Sequence, residues 1–429
     1  MLSSRLPKDL SPSPFFAELE RAKAESASFI DMTVSSPVKA GLPVELDASV
    51  DEGRWSFGCW NPDAAGWKSA RDAVVEYYRE RGGNFTAGQI ILTASTSEAY
   101  SVLFKTFCDP GDVILTPMPG YPLLDTLAQL EHLECAPYFL KIRREKARKL
   151  ATDERREGAA FRFVLDSDSL LAAPEKAKIL LLVSPHNPTG HCVSREEWNI
   201  AVRFCEENDM ILVVDEVFGD YGFSNKVSRT WKYVFGACHP GPRNKFGVNS
   251  EQLWDAGGND LINLPENGPK CPIFWLNGLS KAVGSPQLKL GWMAFYAPRE
   301  RFEEIRAALE FVEDAYLSVS APAQALGMSL LPAAAAYESR VKERLLVNWQ
   351  TLREAFPAKY CPEVLGGWYA VVRLGEDDEE LTLRLLKEKH VLVQPGFFFD
   401  FDEDGWVVIS LLQEPATFKD AVQRMKELQ

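Results

Sequence analysis

Short apolar runs recur along the chain, with stretches of helical periodicity between them. The two longest, residues 179–183 and 210–214, are continuously apolar and do not alternate with polar positions. Strands of this kind are covered on both faces, as in the mainly parallel sheets of α/β domains. The runs that predict strands are residues 90–92, 113–115, 179–183, 210–214 and 272–276. The pattern therefore predicts an α/β fold built on a mainly parallel sheet flanked by helices.

Two helical patterns stand out in the N-terminal half. Residues 66–82 place apolar side chains three and four positions apart, which predicts an amphipathic helix, and residues 14–22 form a shorter pattern of the same kind. The C-terminal part alternates helical patterns with β-like runs at 368–372 and 406–410. That alternation favours a second, smaller α+β domain.

The chain length predicts more than one domain. We predict an N-terminal arm that joins the small domain at residues 1–45, a large domain at 46–315 and a C-terminal small domain at 316–429. Two stretches are interpreted as insertions that form loops. One is the basic segment 141–156, and the other is segment 224–271, which is rich in Gly, Pro and Asn.

Composition excludes several classes of partner. The chain has 429 residues, of which 46% are apolar and 25% charged, as expected for a globular protein outside membranes. Its net charge of −14 argues against nucleic acid and anionic membranes as partners. The eight cysteines form no Cys-x-x-Cys pair, so neither a zinc site nor a disulfide framework is indicated. No run approaches the roughly 20 apolar residues of a membrane span. We therefore expect a cytoplasmic protein with reduced thiols and no metal.

Polar residues follow three of the predicted strands. Asn187 lies in the turn after residues 179–183, Asp215 directly follows residues 210–214, and Lys281 comes shortly after residues 272–276. Ligands of open α/β sheets bind beyond the carboxyl ends of the strands. The three side chains therefore belong at one edge of the sheet.

An Asn-Pro-Thr-Gly turn at 187–190, then Asp215 after a strand, then the Ser-Lys pair at 280–281 resemble the class I/II aminotransferase family of fold-type I pyridoxal phosphate (PLP) enzymes. The resemblance runs from about residue 30 to the C-terminus. It implies a fold-type I transferase with PLP as cofactor and a homodimer that completes each active site. It also implies transfer of an amino group from an amino acid to a 2-oxo acid in two ping-pong half-reactions.

The resemblance and the chemistry of PLP together assign three roles. Lys281 would form a Schiff base with the cofactor and later move a proton at the substrate Cα. Asp215 would keep the pyridine nitrogen protonated, since an opposite charge nearby favours the charged ring. Asn187 would donate to the ring oxygen, with His186 as a structural neighbour. The plainer alternatives are a surface lysine at 281 and an exposed carboxylate at 215.

A phosphate site is predicted where the strand at 90–92 meets a helix that starts near Glu98. Backbone N–H groups and the helix dipole make such a junction an anion site, and Ser95, Thr96 and Ser97 add hydroxyl donors. The alternative is a simple helix N-cap, and both interpretations can hold together. Tyr121 matches the family position whose ring stacks on the pyridine; the alternative is a core tyrosine.

The chain departs from the family pattern at several cofactor positions. Lys289 stands where the family has an arginine for the phosphate, and lysine lacks the bidentate fork. Phe218 replaces a tyrosine that bonds the ring oxygen, and Asn277 and Gly278 stand where a serine or threonine is usual. Trp60 is the best match to the aromatic residue that the partner subunit sends to the phosphate. Its indole N–H is still a donor.

The largest departure concerns the substrate carboxylate. Val408 occupies the place of the family arginine that clamps this group bidentately, and Ser36 stands where the family has asparagine. Lys39, Gln394 and an arginine elsewhere in the chain are candidates for the missing contact, and the sequence favours none of them. These departures keep two alternatives open: a PLP-dependent lyase or decarboxylase on the same fold, and a non-catalytic sensor or scaffold.

Overall fold

The computed structural model describes residues 5, 13–26, 28–43, 62–146, 159–224, 227–235, 268–375 and 377–428. The strands in these ranges are β1 (Ile30–Asp31), β2 (Ile90–Thr93), β3 (Val113–Met118), β4 (Glu134–Lys146), β5 (Ala159–Leu165), β6 (Ala177–Val183), β7 (Ile211–Asp215), β8 (Ile273–Gly278), β9 (Gly291–Tyr296), β10 (Tyr369–Arg373), β11 (Val391–Leu392), β12 (Gln394–Pro395) and β13 (Trp406–Ser410).

The helices of the same ranges cover both faces of the main sheet and pack around the smaller ones. They are α1 (Pro14–Glu25), α2 (Lys68–Glu80), α3 (Thr96–Phe107), α4 (Leu123–Leu130), α5 (Ser167–Leu170), α6 (Arg195–Glu207), α7 (Lys232–Phe235), α8 (Leu279–Ala282), α9 (Arg299–Asp314), α10 (Ala321–Leu330), α11 (Ala334–Ala355), α12 (Asp378–Lys389) and α13 (Pro415–Lys426). Short 3₁₀ turns lie at Ala87–Gln89, Gly219–Tyr221, Pro286–Leu288, Leu331–Ala333 and Gly396–Phe399.

An eight-stranded sheet in the order β2-β9-β8-β7-β6-β3-β4-β5 forms the centre of the molecule. The run β8-β7-β6-β3-β4 is parallel. Successive residues of β6 bury on opposite faces: Leu180 and Leu182 join one apolar cluster, and Ile179 and Leu181 join another. The predicted α/β fold, with a mainly parallel sheet covered on both faces, is confirmed.

Antiparallel strands border this parallel core. Strand β9 runs between β2 and β8, and β5 pairs with β4. The prediction of a loop at 141–156 is wrong for its first residues, because Lys141 to Lys146 extend β4 and pair with β5. In segment 224–271, helix α7 and the buried Trp231 break the predicted loop. The remainder of both segments lies mostly outside the described residues.

Smaller sheets join the two ends of the chain. Strands β10, β13 and β12 form an antiparallel sheet, and β1 pairs in parallel with β11. Helix α1 buries Phe15 and Leu19 against Leu386 of α12. Helices α1 and α2 confirm the helical patterns at 14–22 and 66–82. The division at residues 45 and 315 stays a prediction.

Candidate active site

Lys281 lies just beyond the carboxyl end of β8, in the short helix α8. Its Nζ atom is 4.8 Å from the ring centroid of Trp368 and 5.5 Å from that of Phe218. The Tyr221 hydroxyl donates to the Lys281 carbonyl oxygen at 2.6 Å and so fixes the backbone that carries the amine. Burial lowers the pKa of Lys281 to about 8, although the charge of Asp215 opposes the shift. About a tenth of this amine is therefore neutral at pH 7, far more than for an ordinary lysine.

Asp215 ends β7, the strand beside β8. Its Oδ1 atom accepts from the Val217 N–H at 2.9 Å, and its Oδ2 atom accepts from the Tyr100 hydroxyl at 2.7 Å. Burial raises the pKa of Asp215, while these two donors and the charge of Lys281 lower it. The structure thus brings Asp215 and Lys281 within electrostatic reach of each other at one edge of the sheet.

Glu216 faces away from this site, as the alternation of side chains along a strand requires. Its Oε1 atom accepts from both the backbone N–H and the hydroxyl of Thr230, each at 2.6 Å. The neighbouring carboxylate of Asp215 is therefore the one that faces Lys281.

Asn187 sits in a turn that packs against the end of β7. The Gly190 N–H donates to the His186 carbonyl at 2.8 Å, and the Ser184 N–H donates to the Asp215 carbonyl at 2.9 Å. The Asn187 amide is buried, and its Oδ1 atom has no hydrogen-bond partner among the described residues. An unpartnered buried acceptor is unusual, and the donor of the same amide is its Nδ2 group.

His186 lies inside the turn that contains Asn187. Its Nδ1 atom is 2.9 Å from the Thr189 hydroxyl inside the turn, and burial lowers the pKa of His186 to about 3. The imidazole is therefore neutral and braces the turn that presents Asn187.

The predicted phosphate site lies at the start of α3. The helix begins at Thr96, two residues earlier than predicted, and the Ser95 hydroxyl caps it by accepting from the Glu98 N–H at 3.2 Å. Thr96 and Ser97 are half-buried in its first turn. The N-cap interpretation is confirmed for Ser95. The N–H groups of the first helical turn have no partner within the helix, so the same site can still bind an anion.

Lys289 lies beside this helix start. Strand β9 pairs Gly291 with Thr93, and a Cβ atom added at Gly291 would lie 3.1 Å from the Ser95 carbonyl carbon. The backbone just after Lys289 therefore contacts the loop that contains Ser95. The Lys289 side chain itself is exposed.

Tyr121 is an aromatic wall of the cleft. The residue is 44% exposed, which is high for a tyrosine in a protein core. Partial burial is the larger cause that raises the pKa of Tyr121, and the charge of Asp215 is the smaller one. Tyr369 lies within electrostatic range of Tyr121. The exposed ring is available to a planar ligand.

The residues that depart from the family pattern lie as follows. Phe218 is buried beside Lys281, and Asn277 donates to the Tyr77 hydroxyl at 3.1 Å. Val408 is fully buried on β13 between Val371 and Gln394. Lys39 is exposed. Trp60, the predicted contribution of the partner subunit, lies outside the described residues.

Sequence reasoning missed three residues of this site. Tyr100 contacts Asp215, Trp368 covers Lys281 and Tyr221 holds the Lys281 backbone. Tyr100 follows Thr96 by four positions, so helical spacing places both on one face of α3. That spacing was a usable signal. Trp368 and Tyr221 are brought to the site by tertiary packing, and no local motif marks them.

The residues present fit PLP. An amine with a lowered pKa, a carboxylate within electrostatic reach of it, a buried amide, an exposed aromatic ring and a helix N-terminus lie at the carboxyl edge of the sheet. These groups match the aldehyde, pyridine nitrogen, ring oxygen, ring face and phosphate of the cofactor. Among the described residues, no group of three or more His, Cys, Asp or Glu side chains could hold a metal ion.

Curated aminotransferases match this chain over most of its length. Glutamate-pyruvate aminotransferase AlaA of Haemophilus influenzae is 22% identical over 429 residues, covering 96% of this chain and 93% of that protein. Alanine aminotransferase of Mycobacterium bovis is 24% identical over 428 residues, covering 96% of this chain and 88% of that protein.

None of the helices in the described ranges is both long and apolar enough to cross a membrane.

Solved structures share the fold. Alanine aminotransferase from Pyrococcus furiosus superposes with a TM-score of 0.74 at 20% identity, covering 100% of this chain and 99% of that one. A double mutant of Thermus thermophilus aspartate aminotransferase also gives 0.74, at 19% identity and full coverage of both chains. The family model described as "Aminotransferase class I and II" matches residues 61–425, most of the chain. The chain is therefore a member of the class I and II aminotransferase family.

Proposed function

We propose that this aminotransferase binds PLP covalently through Lys281 and transfers amino groups between amino acids and 2-oxo acids in two ping-pong half-reactions. The observation that carries the proposal is the amine of Lys281, whose pKa of about 8 leaves it partly neutral beside a carboxylate at the carboxyl edge of the sheet. A neutral amine is the form that attacks an aldehyde. PLP, when bound, supplies the electron sink for the reaction.

Lys281 would have a second task in a protein that holds PLP. Its amine would accept the proton from the substrate Cα and move it during the reaction. Its lowered pKa suits this exchange, because proton transfer is most efficient when the pKa of the base lies near the working pH. Trp368 and Phe218 shield the amine from water and limit its hydration.

Asp215 supports the ring nitrogen. Its position at the end of β7 and its two hydrogen-bond donors hold an anionic carboxylate at the edge of the sheet. An anion there favours the protonated ring, which is the stronger electron sink. Asn187 would donate to the ring oxygen, and Tyr121 would stack on the ring face.

The phosphate would sit at the start of α3. Ser95, Thr96 and Ser97 supply N–H groups and hydroxyls, and Lys289 supplies positive charge from the neighbouring strand connection. A lysine here balances charge without the two parallel hydrogen bonds of an arginine. We therefore expect the phosphate contacts to rest more on backbone N–H groups than on Lys289.

We infer that the protein forms a homodimer. Phe311 and Tyr316 support an interface at the end of α9, because they are 81% and 60% exposed. Large aromatic residues with high exposure are typical of protein interfaces. Sedimentation of the wild type and of Phe311→Ser tests this: a dimer weakened by the substitution is expected, and a wild-type monomer would contradict it.

We further infer a cytoplasmic setting. The six cysteines in the described part of the chain are all free thiols, and most are buried. Free thiols persist where glutathione keeps them reduced.

Reduction of the PLP-treated protein with borohydride tests the proposal directly. The expected result is a peptide that contains Lys281 and carries the mass of the reduced cofactor. Lys281→Ala should lose both this adduct and activity. Lys270→Ala, which removes an exposed lysine before β8, should keep both. An adduct on another lysine, or full activity in Lys281→Ala, would overturn the proposal.

A further inference from the structure

Asp215 has an additional side-chain partner from α3. The Tyr100 hydroxyl donates to its Oδ2 atom at 2.7 Å, and the Tyr100 side chain is only 4% exposed. Burial, followed by the charge of Asp215, raises the pKa of Tyr100 well above its ordinary value. The phenol therefore keeps its proton at any working pH and acts only as a donor toward the carboxylate.

Other groups face the same carboxylate from neighbouring elements. Lys281 of α8 contributes positive charge, and Tyr121, after β3, lies within electrostatic range. Glu216, the next residue along the chain, turns to Thr230 on the far side of the strand. The Val217 N–H occupies Oδ1. Among the described residues, Tyr100 is the side chain that hydrogen-bonds Asp215.

We propose that Tyr100 is a positioning residue that keeps Asp215 ionised and aimed at the cofactor ring nitrogen, so that the shared proton stays on the ring. This inference rests on the proposed function, since it assumes that Asp215 faces the ring nitrogen of bound PLP.

The sign of the effect follows from the hydrogen bond. A phenol that donates to a carboxylate stabilises the ionised form and lowers its affinity for a proton. Without the Tyr100 hydroxyl, one of the donors that lower the pKa of Asp215 is lost, while burial still raises that pKa. The carboxylate then competes better for the proton of the ring nitrogen. The ring would then carry less positive charge and withdraw fewer electrons from the bond to be broken.

A purely structural role would not require a charged acceptor. Tyr138, also buried, satisfies its hydroxyl with the Leu181 carbonyl at 2.8 Å, inside the same sheet. Tyr100 instead donates its hydroxyl hydrogen to Asp215, the carboxylate at the edge of the sheet where the cofactor is predicted. Tyr138→Phe is therefore a matched control, because it removes a buried hydroxyl without touching Asp215.

The test compares Tyr100→Phe with Tyr138→Phe and the wild type, each loaded with PLP labelled with ¹⁵N in the ring. We expect a protonated-ring ¹⁵N shift in the wild type and in Tyr138→Phe, and a shift toward the neutral ring in Tyr100→Phe. In visible titrations, proton loss from the Lys281–cofactor linkage should move up by about one pH unit in Tyr100→Phe, because a less positive ring withdraws less charge. We also expect kcat to fall about tenfold, the equivalent of one pKa unit, with KM little changed.

Three outcomes are distinguishable. If the wild type forms no linkage with PLP, the proposed function itself fails. If the wild type loads PLP and Tyr100→Phe matches it in ¹⁵N shift and titration, the inference about Tyr100 is overturned. Should Tyr100→Phe fail to fold, 3-fluorotyrosine at position 100 serves instead. Its more acidic hydroxyl is a stronger donor and should move the midpoint of the titration to lower pH than in the wild type. An unchanged midpoint, or one at higher pH, would overturn the inference.

Discussion

At the scale of single residues, the site depends on how burial and charge set two proton affinities. Burial pushes the pKa of Lys281 down and that of Asp215 up, and their attraction opposes both shifts. The amine is thereby made reactive, while donors from Tyr100 and Val217 help to keep the carboxylate ionised. The charge of Asp215 limits the fall in the pKa of Lys281, and the charge of Lys281 limits the rise in the pKa of Asp215.

The pH dependence of cofactor loading follows from Lys281. Only the neutral amine attacks, so the rate of PLP incorporation into the cofactor-free protein should rise with pH and level off above about 8. Asp215 raises the pKa of Lys281, so Asp215→Asn should move the midpoint lower. Stopped-flow absorbance measures the rate. A midpoint near the ordinary lysine value would show that burial does not govern this amine.

Asp215→Asn should also impair catalysis. The amide cannot hold a positive ring nitrogen, and we expect kcat to fall by roughly 100-fold or more, as for other lost acid–base groups. Asp209→Asn provides the control, since that carboxylate is 96% exposed. Steady-state kinetics of the two variants would contradict the assignment if their rates were alike.

At the scale of elements, tight connections at the ends of strands present the site. Gly190 closes the turn that carries Asn187: its φ is +68°, and an added Cβ atom would lie 2.5 Å from Cγ1 of Val364. The left-handed region favours glycine, and the neighbouring side chain leaves no room for a methyl group. The turn is thus specified by both backbone and packing.

Gly190→Ala should therefore lower the free energy of unfolding by more than the strain of a left-handed backbone alone would. Gly111→Ala is the matched control, because Gly111 has a φ of +91° but open space around it. We expect the control to lose about 1–2 kcal/mol of unfolding free energy. Gly190→Ala should lose more and also bind PLP less tightly. Urea unfolding and PLP titration measure both effects, and equal losses in the two variants would remove the packing argument.

The elements most visible in the sequence were those with continuous apolar runs. Strands β6 and β7 and the chemistry placed after them follow directly from residues 179–183 and 210–214, because a strand buried on both faces needs no alternation. The extension of β4 beyond Lys141 was missed, since a basic segment resembles a loop until a partner strand is known. Trp368 was missed for the same reason: its place depends on tertiary packing.

At the scale of the whole molecule, a buried charge network ties distant parts of the chain together behind the site. Asp220 accepts from the Tyr77 hydroxyl at 2.5 Å and from Arg81 Nε at 2.8 Å, and it also pairs with Arg229. Arg81 reaches Glu338 of α11 at 3.3 Å. The network therefore connects α2 with α11.

Asp220→Asn should strongly destabilise the fold. It leaves two arginines in the interior with less compensating charge, and breaking a buried pair typically costs about 3–5 kcal/mol. The control is Asp72→Asn, which removes the exposed pair with Lys68 and should cost at most about 1 kcal/mol. Chemical denaturation compares the two, and similar midpoints would show that the buried network adds little.

The central claim is amino transfer through PLP on Lys281, and a single half-reaction tests it most directly. The PLP-loaded protein is mixed with one amino acid at a time, without any oxo acid. Alanine, glutamate and tyrosine come first. The cofactor is then recovered and identified by mass. We predict conversion to pyridoxamine phosphate, with one equivalent of 2-oxo acid per site. Turnover of the amino acid with the cofactor recovered as PLP would contradict amino transfer and indicate a lyase or decarboxylase.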